Sequence, residues 1–299
     1  MASSTAIALG NFDGVHLGHR RILEALRARA QADGLEPVAL TFEPHPRQFL
    51  FPDARTSLLT SPREKAALLA ELGITVVTLT FDADLAALTA EEFANDVLIG
   101  RLRGACFFLG SNHRFGKGAR GDATLLRTLL GAHTEGSEVV LEVPPAFESG
   151  ELVSSSAIRH HLKNGNVARA NTLLGCPYAL RGTVGPGDGR GRQLGFPTAN
   201  LRIEDVRKIL PFGVFGGQVT LDGVRHSAVA NIGMRPTFKE GTPEPLVEIH
   251  LPDWSGDLYG QPLDFELLQF LRPEQHFDGI ESLKRQITLD VETWKKVAI

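Results

Sequence analysis

The sequence has little cysteine, no long apolar run and no surplus of positive charge. Two cysteines, Cys106 and Cys176, in 299 residues build neither a disulfide framework nor a zinc site, so a reducing cytoplasm is the expected location. No stretch approaches the ~18 apolar residues that a membrane-spanning helix needs. The opening Met1-Ala-Ser-Ser-Thr leads straight into patterned sequence, without a basic patch and an apolar signal core. With 31 Lys+Arg against 35 Asp+Glu, the net charge is −4, which argues against a general nucleic-acid binder. Internal repeats and low-complexity linkers are also missing. What remains is an ordinary globular composition, 42% hydrophobic and 22% charged. At ~100–200 residues per domain, the length implies about two domains.

The two halves differ in texture. Thr5–Leu9, Val38–Phe42, Ile74–Phe81, Ala105–Leu109 and Val139–Val143 are short runs, mostly β-branched or aromatic, and are expected to be buried strands. Helix signals separate them. Ser61-Pro62-Arg63-Glu64 offers an N-cap, a proline at the first helical position and a capping-box glutamate. Thr89-Ala90-Glu91-Glu92 repeats the capping-box spacing ahead of Phe93, Val97 and Leu98. Strand–helix alternation of this kind predicts an α/β doubly wound parallel sheet, with ligands beyond the carboxyl ends of its strands. Near residue 178 the pattern changes to short strands divided by Gly, Pro and Asp: Tyr178–Val184, Pro197–Leu201, Val214–Leu221, Ser227–Ile232, Leu246–Leu251 and Leu263–Phe270. These imply an antiparallel β-barrel. A terminal helix carries Ile280, Leu283, Ile287, Val291 and Trp294 on one face, packed on the barrel. The domains are accordingly expected at 1–177 and 178–299.

In the first half, Thr5–Leu9 runs into Gly10-Asn11-Phe12-Asp13-Gly14-Val15-His16-Leu17-Gly18-His19 and a helical pattern from Arg20 to Ala30. His16 and His19, three apart at a helix start, face the same side. Free N–H groups there favour a phosphate, and the glycines let the backbone approach it. Imidazoles can donate to phosphate oxygens as charge builds during displacement at phosphorus. The same residues also suit a plain Gly-rich turn with two surface histidines. Val153-Ser154-Ser155-Ser156-Ala157-Ile158-Arg159, at the start of a short helix, offers hydroxyls and an arginine to a polyphosphate, or simple capping. Gly110 to Lys117 resembles a Walker A loop only superficially. Five residues separate Gly110 from Gly116, and Gly118 replaces the Ser or Thr that would hold magnesium.

In the second half, six of the chain's 31 glycines fall between Gly182 and Gly195, around Gly189, Arg190 and Arg192. Backbone amides and positive charge there suit phosphates, although a flexible hairpin has the same composition. Gly195-Phe196-Pro197-Thr198-Ala199-Asn200 follows. The Thr198 hydroxyl and the Asn200 amide, two apart on a strand, point the same way and suit a magnesium–nucleotide complex, with Thr198 on the Mg²⁺.

His-x-Gly-His with a distant Ser-Ser-x-x-Ile-Arg resembles the nucleotidyltransferase superfamily. The longer run from Gly10 to His19 and Thr41-Phe42-Glu43-Pro44-His45-Pro46 resemble the FMN adenylyltransferase half of prokaryotic FAD synthetases. That resemblance implies ATP at Gly10, Asn11, Phe12, His16, His19, Ser155 and Arg159, and FMN at Pro44, His45 and Asn112. Two departures stand out. In Gly110-Ser111-Asn112-His113-Arg114-Phe115-Gly116, His113 replaces the family's usual aromatic, and Ser154-Ser155-Ser156 stands where Ser-Ser-Thr is commoner. The second half resembles the riboflavin kinase module through Gly195–Asn200, Gly213-Val214-Phe215, Asn231–Phe238, Val247-Glu248-Ile249-His250-Leu251, Asp257-Leu258-Tyr259-Gly260 and Arg272-Pro273-Glu274. By resemblance, Glu248 is the general base, and Asn231, Arg235, Arg272 and Glu274 bind flavin on mobile flaps. His226 and His250 read as ordinary strand residues. The implied activity is phosphorylation of riboflavin to FMN, then joining of FMN to AMP from ATP. FAD, ADP and pyrophosphate are the products, Mg²⁺ serves both steps, and no nucleic-acid or membrane partner is involved. Oligomeric state is left open. Two alternatives persist at this point: a flavin carrier or sensor with degenerate nucleotide sites, at which only His113 hints, and a working kinase with an altered adenylyltransferase.

Overall fold

The computed structural model describes residues 4–54, 57–130, 139–187, 191, 194–235 and 244–297. Contacts group the chain into two units, Met1–Ser155 and Ser156–Ile299. In the first, β1 (Thr5–Leu9) is buried along its whole length, as a central parallel strand must be when helices cover both faces of its sheet. It pairs with β2 (Glu36–Glu43) on one side and β4 (Gly104–Gly110) on the other. With β3 (Thr75–Thr80) and β5 (Val140–Val143), the order is β3-β2-β1-β4-β5, all parallel. The chain reverses direction across the sheet between β1 and β4, and in sheets of this kind ligands bind beyond the carboxyl ends of the two strands at such a switch point.

The two-residue period of the strands sorts the core. Ile7, Leu9, Val38, Leu40, Phe107 and Leu109 face one apolar layer. Ala6, Ala8, Ala39, Cys106 and Phe108 face the other, which accounts for Cys106 as core. α1 (Leu17–Asp33) and α3 (Pro62–Glu71) cover the second layer through Leu26 and Leu69, and both side chains are fully buried. α2 (Pro46–Leu50) and α4 (Ala83–Ala87) are short. Both capping boxes form, at Ser61 for α3 and at Thr89 for α5 (Ala90–Glu92). From α5 the chain continues as a π-helix over Phe93–Arg101 that buries Phe93, Val97 and Leu98. α6 (Ala123–Leu130) packs with it on the first layer. A short hairpin, β6 (Phe147–Glu148) with β7 (Glu151–Leu152), leads to α7 (Ser155–Lys163).

The second unit is a closed barrel of β8 (Tyr178–Gly185), β9 (Thr198–Ile203), β10 (Gly213–Leu221), β11 (Val224–Arg235), β12 (Glu244–His250) and β13 (Pro262–Arg272), in the order β10-β11-β12-β9-β8-β13. All pairs are antiparallel. Leu180, Phe215, Ile249, Phe265 and Leu267 are fully buried. α8 (Val167–Leu174) is tied to the barrel by Asn171, whose amide donates to Leu267 O and whose carbonyl accepts from Tyr178 N, both at 2.8 Å. The terminal helix, α9 (Ile280–Val297), lays Val291 and Trp294 on the outward-facing Val214 and Val229. Ile280, in its first turn, is 60% exposed, so the apolar stripe packs only from further along the helix.

Candidate functional sites

The turn from β1 into α1 is strained. Phe12 (φ 49°) and Val15 (φ 41°) lie in the left-handed region alongside Gly14 (φ 85°), a conformation that a β-branched residue such as Val15 rarely adopts. Each such residue costs about 1–3 kcal/mol. Full burial of the Phe12 and Val15 side chains offsets this, at about 1.5–3 kcal/mol apiece. Asp13 fastens the turn. Its carboxylate accepts from Leu59 N (2.9 Å), Thr60 N (3.1 Å) and the Thr60 hydroxyl (3.3 Å), while Thr60 Oγ1 accepts from Gly14 N (3.0 Å). Ser155 Oγ donates to Asp13 O at 3.0 Å, so the serine motif and the histidine motif meet although 142 residues separate these partners. Arg159 lies one turn further along α7, in the second unit, and is half-buried.

His16 is the N-cap of α1, its Nδ1 accepting from His19 N at 3.3 Å. With Nδ1 as acceptor, a neutral His16 carries its proton on Nε2. The two imidazoles stack, with centroids 3.6 Å apart and planes 14° from parallel. His16 is buried and His19 half-buried. One donor ring, its neighbour and the open N–H groups of a 17-residue helix thus stand together where β1 ends, an arrangement suited to phosphate.

Beyond β2, Pro44 follows a cis peptide bond, and His45 caps α2 by accepting from Arg47 N at 3.1 Å. Asn112 is exposed in the turn after β4, the other strand at the switch point. Five phenylalanines join these two segments through tilted and T-shaped ring contacts. Phe115 lies 5.8 Å from Phe93, which is 6.3 Å from Phe42; Phe81 is 5.7 Å from Phe42 and 5.6 Å from Phe49. The row ends in exposed Phe49, Leu50 and Phe51, an apolar surface of the kind that takes a flat aromatic ligand. Burial, and then the neighbouring Arg114, push His113 down to about 4. At neutral pH it is therefore an uncharged ring, close in character to the aromatic that it replaces.

In the barrel, strand register does the assembling. Asn200 of β9 stands opposite Glu248 of β12, which stands opposite Asn231 of β11. Directly opposed residues of antiparallel strands project from the same face, so the three form one row. Thr198 and His250 are the next pair along that face. His250 is held by Pro197 O at its Nδ1 (2.8 Å). The Asn200 Oδ1 is buried and has no hydrogen-bond partner among the described residues. Beside Thr198 opens a cavity of about 240 Å³ with apolar walls from Val184, Ala199, Ile249, Leu251 and Leu258. Gly187 lies against the Asn200 side chain and Gly191 against the Phe196 carbonyl, positions at which a Cβ would collide. At the other end of the row, Asn231 Nδ2 donates to Glu274 Oε1 at 3.3 Å. Arg272 is engaged elsewhere. Its guanidinium pairs with Asp290 of α9 through Nε (3.0 Å) and Nη2 (2.8 Å). Asn231–Arg235 belongs to β11 and Arg272 ends β13. Gly189, Arg190, Arg192, 236–238 and the Arg235 side chain lie outside the described residues.

A family model described as FAD synthetase matches residues 1–157, and one described as riboflavin kinase matches 174–298. The bifunctional riboflavin kinase/FMN adenylyltransferase of Escherichia coli K12 is 39% identical over 290 residues, covering 95% of this chain and 90% of its own. The Bacillus subtilis 168 protein of the same description is 35% identical over 291 residues, with 96% and 90% covered. The chain belongs to the family of bifunctional riboflavin kinases/FMN adenylyltransferases. A solved structure described as a macrolide-efflux protein from Streptococcus pneumoniae superposes with a TM-score of 0.88 at 30% identity, covering 99% of this chain and 95% of that one. Among the described residues, no helix is long and apolar enough to cross a membrane.

Within this family frame, the structure adds residues that the sequence does not single out for a role: Asp13, Thr41, Thr60, Lys65 and the phenylalanine row. Asp13 lies inside the quoted motif but carries no mark of its function. Lys65 directly follows a capping-box glutamate and looks like an ordinary helix-surface cation, yet it is buried.

Proposed function

We propose that the barrel phosphorylates riboflavin to FMN with ATP and that the parallel-sheet half then joins FMN to AMP from a second ATP, releasing pyrophosphate and FAD. One observation carries this reading: in each half, motif residues distant in sequence meet at a single place, Ser155 on the turn before His16 and Glu248 between Asn200 and Asn231. The division of labour follows the texture change, 1–177 for adenylyl transfer and 178–299 for the kinase. A cytoplasmic location, where ATP is supplied, belongs to the same reading.

In the kinase step, Glu248 accepts the proton of the riboflavin 5′-hydroxyl as that oxygen attacks the γ-phosphorus. The cavity beside Thr198 suits the purine of ATP, and Asn231 and Glu274 bound the flavin end of the row. Arg235 and Arg272 complete the flavin side in this reading, Arg272 by fixing the segment that carries Glu274. Gly189, Arg190 and Arg192 supply local phosphate contacts that a chain of net charge −4 does not otherwise provide. The Thr198 hydroxyl and the orphaned Asn200 Oδ1 are hard oxygen donors fitting an Mg²⁺ held mainly by phosphates. Bound there, the ion would neutralise phosphate charge.

In the adenylyl step, a phosphate oxygen of FMN attacks the α-phosphorus of ATP, and pyrophosphate leaves. His16 Nε2–H and His19 donate to the oxygens as charge accumulates. Gly10, Asn11 and Phe12 shape the turn, and Ser155 and Arg159 bind the polyphosphate. Pro44, His45 and Asn112 flank the flavin, whose ring lies on the exposed end of the phenylalanine row at Phe49 and Phe51. Most acceleration comes from positioning and charge stabilisation. The carrier alternative rests on His113 alone, and that ring is uncharged at neutral pH. Incubation with riboflavin, ATP and Mg²⁺, with flavins resolved by chromatography, is expected to yield FMN and then FAD. No FMN refutes the kinase half, and FMN without FAD refutes the adenylyltransferase half.

A further inference from the structure

Lys65 projects from the first turn of α3 into the protein, not into water, and is 9% exposed. Its Nζ donates to Thr41 Oγ1 at 2.7 Å and to Asn11 O at 3.2 Å. Thr41 Oγ1, itself fully buried, donates to Asn11 O at 3.2 Å. These bonds close a triangle between three elements. Asn11 belongs to the strained turn that leads to His16, on the nucleotide side. Thr41 lies near the end of β2, immediately ahead of Phe42-Glu43-Pro44-His45, on the flavin side. Lys65 comes from neither motif and bonds to both.

A buried ammonium is expensive to desolvate, and an apolar side chain of similar volume would cost α3 nothing. What the amine contributes is geometric. A single carbonyl, Asn11 O, is held by two donors, which fixes the main chain two residues beyond β1 against the end of β2. An in-line displacement depends on the relative placement of its two reactants, and errors of about 1 Å cost on the order of a hundredfold in rate.

We infer that Lys65 is a positioning residue for adenylyl transfer, holding the nucleotide turn and the flavin strand in register through Asn11 and Thr41. The inference rests on the adenylyltransferase reading of the first half.

The test uses the full chain, with FMN, ATP and Mg²⁺, and measures kcat and both KM values for FAD formation. Riboflavin phosphorylation by the same preparations is the internal control. Lys65→Met is expected to lower kcat at least tenfold and to raise KM for both ATP and FMN, with riboflavin phosphorylation unchanged. Thr41→Val is expected to move the same values in the same direction, Thr41→Ser to stay within threefold of the parent chain, and the double variant Lys65→Met/Thr41→Val to be no worse than the poorer single. A purely structural role would reduce the fraction of folded chains, lowering kcat with both KM values intact. Unchanged KM values in folded Lys65→Met would overturn the inference. If that variant does not fold, the near-isosteric Thr41→Val decides, and parental KM values there are equally fatal. Absence of FAD from the parent chain itself would instead remove the reading on which the inference stands.

Discussion

The Nδ1 of His16 accepts from the first turn of α1, and in the proposed reading Nε2 meets the phosphate, so capping and chemistry would fall on opposite sides of one ring. Asparagine is among the best N-caps but lacks a second donor at the far edge of a ring, whereas alanine loses the cap as well, at about 1 kcal/mol. His16→Asn is therefore expected to melt close to the parent protein and to form FAD from FMN on the order of a hundredfold more slowly, the usual loss for one donor to developing charge. His16→Ala is expected to lose both, as read by thermal melting and flavin chromatography. His113 makes a second prediction at this scale. Its folded-state pKa, about 4, lies below its ordinary 6.5 because of burial and Arg114. Between those values the unfolded chain takes up a proton that the folded chain refuses. Stability contributed by the neutral ring is then complete above about pH 6.5 and lost as pH falls through about 4. His113→Phe is expected to flatten the pH dependence of urea midpoints between pH 7 and 4. A slope equal to the parent's would refute this assignment.

Elements were legible where local pattern and tertiary demand agree. All five strands of the sheet and all six of the barrel lie where their apolar runs predict, and both capping boxes form, because burial on both faces of a strand and a satisfied helix start each leave a local mark in the sequence. The histidine pair was legible for the same reason, since three-residue spacing at a helix start is local. Lys65 and the phenylalanine row were not: their meaning lies in partners tens of residues away, and nothing adjacent to Lys65 separates it from a solvated lysine. Clustered glycines were only partly legible. Gly182 belongs to β8, where an added Cβ would collide with the Arg202 backbone carbonyl, so close strand packing explains that glycine. Gly216 offers a test of this kind of packing. It faces the buried Trp294 ring of α9, and a Cβ there would overlap the indole. Gly216→Ala is expected to destabilise the barrel unit by about 1–3 kcal/mol, the usual cost of overpacking, visible as a lowered urea midpoint. An unchanged midpoint would mean that α9 shifts freely on the strands.

For the whole molecule, the property that matters is that each unit closes one cluster of candidate site residues by itself. The triangle of Lys65, Thr41 and Asn11 closes within the first unit, and the row Asn200–Glu248–Asn231 closes within the second. Loss of one centre should leave the other intact, and FMN released by one chain should serve another. Glu248→Gln removes the carboxylate proposed as the base but keeps the size of the side chain, so it is expected to form no FMN from riboflavin while still converting supplied FMN to FAD. His16→Ala is expected to stop at FMN. Mixed in equal amounts with riboflavin and ATP, the two variants should together produce FAD after a lag in which FMN accumulates, and dilution at fixed ratio should lengthen that lag, because the intermediate crosses between molecules. Loss of both activities in either single variant would show that the two centres depend on one another, and the assignment of one reaction to each half would fail.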